Sequence, residues 1–392
     1  MKYLNGHYTV NGEIIENKIY AMLKASETNS DVIWHYWDNI YTDAVLKYKY
    51  KETLEELYRQ RAQQLRDSYD YLILNYSGGA DSHNILNVFL KFNIKLDLIY
   101  VQWPEQLMNK GLYTPNSIDK SNSNFHSEWD LVIKKDLQWI SKIRPNIIID
   151  IGDWSATVKE SFYHDDLFLN NVTNLPSIAR AQKQNTFSKY ESEWTSKGKT
   201  VGSIFGVDKT NIVKKENQWY FYFVDTAFMT QPNIDNPNGI EYFYHTPLFP
   251  EITITQAKLL IDWYSSNPGK QYLIQAKSER VKKDHTYINW DWSDYYDEIS
   301  EIAEIYKYVC YPYWDFNRFQ ADKPYAILDG FKPGIRAWDN ILTAVPDFDR
   351  VQQKWEYNWR SYYNKINKKF MLKHSKDTVA PIKSVWHIIN IE

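Results

Sequence analysis

Apolar positions along the first quarter of the chain come in short, separated groups. Residues 8–10 and 14–15 read as a short strand or a hairpin, and residues 18–25 carry helical spacing. Residues 49–69 (YKYKETLEELYRQRAQQLRDS) place Leu54, Leu57 and Leu65 on one stripe of an otherwise charged helix. The pattern then changes. Residues 71–76 (YLILNY) form a continuous apolar run of strand length, followed by the turn SGGADS and by HNILNVFLKF, whose apolar positions return to helical spacing. Further strand-like runs stand at 96–101 (LDLIYV), 146–151 (NIIIDI) and 200–205 (TVGSIF), with a helix expected over 126–143. Strands that are apolar on both faces and alternate with helices predict an α/β fold, a doubly wound parallel sheet covered by helices.

Beyond residue 212 the alternation stops. Residues 211–214 and 219–225 read as a hairpin, residues 231–239 as a Pro/Asn-rich loop, and residues 255–266 as a helix closed by Asn267-Pro268-Gly269. Helices are also expected over 292–309 and 347–370, and a strand over 382–391. No internal repeat is visible. The expected organisation is an N-terminal extension over 1–67, an α/β unit over 68–230, and a mainly helical, aromatic-rich unit over 231–392.

Composition narrows the chemistry. With 46 Lys and Arg against 49 Asp and Glu, the net charge is −3, so the chain lacks the basic excess of a protein devoted to nucleic-acid phosphates. Local basic stretches near 134–144 and 365–376 leave a nucleic-acid acceptor open. No run of 18 apolar residues occurs, and the first residues have no apolar leader, so no membrane association is expected and the cytoplasm is the expected compartment. Cys310 is the single cysteine, which excludes an intrachain disulfide, a cysteine zinc cluster and a CxxC redox pair. It reads as a small buried residue. The 65 aromatic residues (16 Trp, 32 Tyr, 17 Phe) can serve as packing or as stacking platforms for a base or sugar.

The turn at 77–82 carries the candidate chemistry. Gly78 and Gly79 let the backbone turn tightly and approach a ligand. The following helix offers free amides and the positive end of its dipole, a setting for phosphate or pyrophosphate. Ser77 and Ser82 add hydroxyls. Asp81 beside an anion makes sense if Mg²⁺ lies between them, since magnesium is held by one or two carboxylates plus phosphate oxygens. An ordinary strand–turn–helix with a Ser or Asp cap is the plainer alternative. Neither GxxxxGK[ST] nor GxGxxG is present.

Ser77-Gly78-Gly79-Ala80-Asp81-Ser82 resembles the SGGxDS motif of the PP-loop (N-type) ATP pyrophosphatases, with every fixed position present. The resemblance covers roughly residues 68–212 and is nearest to the synthase domain of asparagine synthetase. It implies a doubly wound sheet of the adenine-nucleotide α-hydrolase type, with ATP and Mg²⁺ as cofactors. ATP would be cleaved between its α- and β-phosphates, and the AMP attached to a carboxyl or carbonyl oxygen. Ammonia or an amine would then displace it. The resemblance assigns nucleotide binding to residues 77–82, with Asp81 on the metal. The chain departs from asparagine synthetase in having Lys2 where an N-terminal nucleophilic cysteine would stand, and about 70 residues ahead of the sheet leave no room for a glutaminase domain. The nitrogen donor would then be free ammonia, an amine or a separate subunit. One cysteine also disfavours the sulfur-transfer branches.

Other candidates are less specific. Gly206-Val207-Asp208-Lys209 follows the fourth expected strand, at the sheet edge where ligands bind in doubly wound folds. Lys209 could neutralise the leaving pyrophosphate and Asp208 could share the metal; the alternative is a plain surface turn. Asp150 and Asp153 fall at the same edge, with an Asx-turn or cap as the alternative for Asp153. Arg180 could grip a phosphate bidentately, or be a solvated helix arginine. His164, Asp165 and Asp166 are adjacent and read as a surface loop. Residues 311–336 form either a wall of the acceptor pocket or an aromatic packing layer. A nucleobase in tRNA or DNA as acceptor, and a nucleotide-binding protein without turnover, are the alternative functions.

Overall fold

The computed structural model describes residues 6–42, 46, 49, 51–103, 133–153, 189–206, 210–216, 218–225, 239–271, 303–313, 364–370 and 382–389. At its centre is a five-stranded sheet of β4 (Tyr71–Asn75), β5 (Leu98–Trp103), β6 (Ile148–Asp153), β7 (Val201–Phe205) and β10 (Ile240–Tyr242). Every pairing in it is parallel, in the order β10-β7-β4-β5-β6. The chain lays down β4 first, grows one way through β5 and β6, then returns to the other side of β4 for β7 and β10. The order therefore reverses between β4 and β7.

Both sheet faces are covered, which explains the unbroken apolar strands. Leu72, Leu74, Ile99, Val101 and Ile204 share a core with α2 (Leu54–Ser68), α3 (Ala80–Lys91) and α4 (Lys134–Ile143). Tyr71, Ile73, Leu98, Tyr100 and Val201 pack on the opposite side against Tyr190 and Trp194 of α5 (Lys189–Ser196). The expected α/β architecture with a parallel sheet is present. Its helix over 126–143 is described only from residue 133, and the expectations for 292–302 and 347–363 lie outside the described residues; the described end of the expected 347–370 helix, residues 364–370, is instead a turn followed by a short 3-10 helix at Lys368–Phe370.

α2 starts on a reciprocal cap. Thr53 Oγ1 accepts from the Glu56 amide, and the Thr53 amide donates to Glu56 Oε2. Its buried positions Leu54, Leu57, Tyr58, Arg61, Ala62 and Leu65 follow the 3.6-residue period. Arg61 is the unexpected member. Its guanidinium donates to Glu241 Oε2 at 2.7 Å and to the Tyr242 carbonyl at 3.0 Å. Glu241 also accepts from the Tyr69 hydroxyl. These contacts hold β10 on the sheet edge. β10 follows residue 230, so the sheet draws on both sides of the expected unit boundary. The helix expected from residue 255 is α6 (Pro250–Ser265), which begins earlier because Pro250 supplies the fixed φ of a first helical position.

Two three-stranded antiparallel sheets flank this body. One is β2-β1-β3, from β1 (His7–Val10), β2 (Glu13–Ile15) and β3 (Ile33–His35). The expected hairpin is there; β3 was not foreseen. The other is β11-β9-β8, in which the hairpin of β8 (Asn211–Lys215) and β9 (Gln218–Tyr222) takes β11 (His387–Ile389) against β9. Helix α1 (Lys18–Thr28) ties the two together: Lys18 Nζ lies 2.7 Å from Asp225 Oδ2, with both side chains fully buried. Tyr8 donates to Asp225 Oδ2 at 3.1 Å and the Ile382 amide to Asp225 Oδ1 at 2.9 Å. Among the described residues, no helix is long and apolar enough to cross a membrane.

His387 sits among Tyr41, Phe221 and Phe223, and burial holds its imidazole below the ordinary histidine pKa. The unfolded chain takes up a proton near pH 6.5 while the folded chain resists it, so stability falls as pH drops below about 6.5. His387→Phe is expected to flatten this dependence. Urea unfolding at pH 7 and pH 5.5 should show a smaller loss in the variant than in the native chain; equal losses would exclude His387 as a source.

Candidate functional site

Strand β4 ends at Asn75, and the next seven residues build the turn. The Tyr76 amide donates to the Tyr100 carbonyl at 2.8 Å, extending the ladder by one step. The Tyr76 hydroxyl is 3.1 Å from His83 Nδ1 and also donates to the Asp136 carboxylate. All three side chains are buried, so the residue that launches the turn is fastened to both α3 and α4. Gly78 then takes a φ of +73°, which a side chain disfavours. Ser82 Oγ closes the loop, accepting from the Ser77 amide at 3.3 Å and donating to the Gly79 carbonyl at 3.2 Å.

Helix α3 begins with Gly79 as its N-cap, and no side chain caps it. Its first-turn amides thus lack the usual serine or aspartate acceptor, in contrast to the plain capped turn weighed above. Asp81 is the acidic residue of that first turn. The geometry favours an anion at the amides and leaves a half-buried carboxylate beside it.

Strand β7 delivers Gly206 to the same place. A Cβ on Gly206 would come within 3.0 Å of the Asp81 carbonyl carbon, the Ser82 amide nitrogen and Ile85 Cδ1. A side chain there would press on the backbone at the start of α3, which would have to give by a few tenths of an ångström. The turn after β4 and Gly206 at the end of β7 therefore meet where the strand order reverses, the general position for ligands in open α/β sheets.

Tyrosines form the other wall. The Tyr311 hydroxyl donates to Asp81 Oδ1, and the Tyr244 hydroxyl donates to the Asp81 backbone carbonyl at 2.9 Å. Asn84 Nδ2 donates to Tyr244 Oη at 3.0 Å. The Tyr244 and Tyr311 rings stack at 5.5 Å and 27°. Behind them Tyr58 donates to the Cys310 carbonyl at 2.8 Å and accepts from Gln256 Nε2 at 2.8 Å, while Gln256 Oε1 accepts from Thr210. Burial drives the pKa of Tyr58, Tyr244, Tyr306 and Tyr311 upward, and the negative charge of Asp81 adds to the rise. These phenols remain protonated. Burial also raises the Cys310 thiol, which makes it an inert core residue, as its sequence setting suggested.

Residues 77–82 thus form one turn and one helix start. Asp208, Lys209 and Arg180 lie outside the described residues, as do His164, Asp165 and Asp166. Asp150 is level with Tyr100 within β6, and Asp153 pairs with Trp103 at its carboxyl end. Tyr244 and Tyr311 were missed as individual site residues. Their approach to Asp81 spans 163 and 230 positions, and no local spacing signals it. Among the described residues no group of three or more His, Cys, Asp and Glu side chains gathers as a metal site. The chain matches no family model, no curated protein and no solved structure.

Proposed function

We propose that the protein is an ATP-dependent adenylating synthetase on an adenine-nucleotide α-hydrolase-like sheet, cleaving ATP to AMP and pyrophosphate. The observation that carries this reading is the meeting of an uncapped helix start, a first-turn aspartate and the glycine end of β7 at the strand-order reversal. The SGGADS resemblance supplies the reaction class.

In this reading the amides of residues 79–82 cradle the pyrophosphate portion, and the Ser77 and Ser82 hydroxyls shape the loop around it. One carboxylate, with no dense acidic cluster among the described residues, fits Mg²⁺ held largely by phosphate oxygens. The ion, when bound, would screen phosphate charge and favour departure of pyrophosphate. Asp81 would hold it, with Asp208 as a second ligand. Lys209 neutralises the leaving group and Arg180 steadies a phosphate or an acidic substrate. The acceptor is a carboxyl or carbonyl oxygen, and ammonia or an amine displaces the AMP.

The test is product analysis after incubation with α-³²P-labelled ATP, Mg²⁺, an ammonium salt and a clarified cell extract as the source of acceptor. Labelled AMP with stoichiometric pyrophosphate is expected. Labelled ADP with inorganic phosphate would assign cleavage at the other phosphate bond and overturn the reading.

A further inference from the structure

We infer that Tyr311 is a positioning residue for the Asp81 carboxylate, orienting it toward a nucleotide-bound divalent cation from outside the nucleotide turn. The inference rests on the reading of Asp81 as a cation ligand and adds a residue that the SGGADS resemblance does not contain. Among the described residues, Tyr311 is the hydrogen-bond partner of that carboxylate, and it engages one oxygen, Oδ1. A carboxylate held at one oxygen by a hydrogen-bond donor presents the other in a fixed direction. Metal-binding carboxylates are commonly held this way.

The tyrosine is itself fixed. It follows α7 (Ala303–Cys310) directly, and the Tyr311 amide donates to the Lys307 carbonyl at 3.0 Å. Its ring stacks on Tyr244 and meets Tyr306 edge-on at 5.5 Å and 87°. The preceding Cys310 carbonyl is bound by Tyr58 of α2. Tyr244 grips the Asp81 backbone from the same layer. Backbone and side chain of Asp81 are thus aligned by two stacked phenols.

A Tyr311 hydroxyl standing in the cation's own position would instead compete with it. The two differ in sign. The probe is Mn²⁺ with α,β-methylene ATP, followed by electron paramagnetic resonance on the full chain and on Tyr311→Phe, Tyr306→Phe and Asp81→Asn. Tyr306→Phe controls for packing, because the Tyr306 hydroxyl is buried without a hydrogen-bond partner among the described residues. Thermal melting is measured alongside. Tyr311→Phe should weaken Mn²⁺ binding by roughly 10–100-fold with an unchanged melting temperature. Tyr306→Phe should bind as the native chain does. Unchanged or tighter binding in Tyr311→Phe, with Asp81→Asn still impaired, would overturn the positioning role alone. Asp81-independent binding in the native chain would instead overturn the cation site on which it rests.

Discussion

Replacing Asp81 by Asn is expected to slow magnesium-dependent formation of AMP and pyrophosphate by about 1,000-fold while leaving the fold intact. The substitution preserves side-chain volume and an oxygen able to accept from Tyr311, so the tyrosine layer keeps its partner. What disappears is the negative charge at the site proposed for the cation. Metal stabilisation of a phosphoryl group contributes several kcal/mol, and about 4 kcal/mol is three decades in rate. The cost to stability is limited to the favourable interaction of an acid with a helix N-terminus, about 0.3–1 kcal/mol. A pyrophosphate-release assay and a melting curve separate the two effects. A native rate in the variant would remove Asp81 from the chemistry.

The largest expected loss of stability lies far from the turn, at Lys18. Its ammonium and the Asp225 carboxylate are both shielded from water, and burial holds the lysine below its ordinary pKa despite the partner's opposing pull. Lys18→Met removes the cation and leaves Asp225 buried and uncompensated, a change that costs about 3–5 kcal/mol. Asp225→Asn in the same chain removes the stranded charge and retains an oxygen for the Ile382 amide. Urea unfolding at pH 7 should therefore show the double variant well above Lys18→Met alone. Costs that simply add would mean that packing, not charge, is the origin.

The parallel sheet was legible because the strands β4, β5 and β7 are largely apolar runs, a pattern produced by burial on both faces, while the edge strand β6 announces itself by three consecutive isoleucines although it exposes Ile148 and Ile151. The turn was legible because its glycines and acid are adjacent in sequence. β10 was not, since three residues, Ile240–Tyr242, carry no useful periodicity and are held by Arg61 from a distant helix. That arginine sits on a stripe where spacing predicts an apolar residue, and only its partners explain it. β3 is equally short. Tyr244 and Tyr311 were hidden in a sequence so rich in tyrosine that composition alone cannot separate a site residue from a packing residue.

The wiring of Asp225 also bears on how the protein is made. Its lysine partner precedes it in the chain, but the amide that binds its second oxygen belongs to Ile382, which is 382 − 225 = 157 residues later. At roughly 5–20 residues per second, a ribosome needs on the order of 8–30 s to bridge that interval. Throughout it, Phe223 also lacks Ser384, whose hydroxyl accepts from its backbone amide, and β9 has an open edge where β11 will pair. An unpaired strand edge flanked by aromatics is a surface prone to wrong pairing. The nascent chain should accordingly be most exposed to aggregation, and most dependent on chaperones, while the stretch between residues 225 and 382 is being translated.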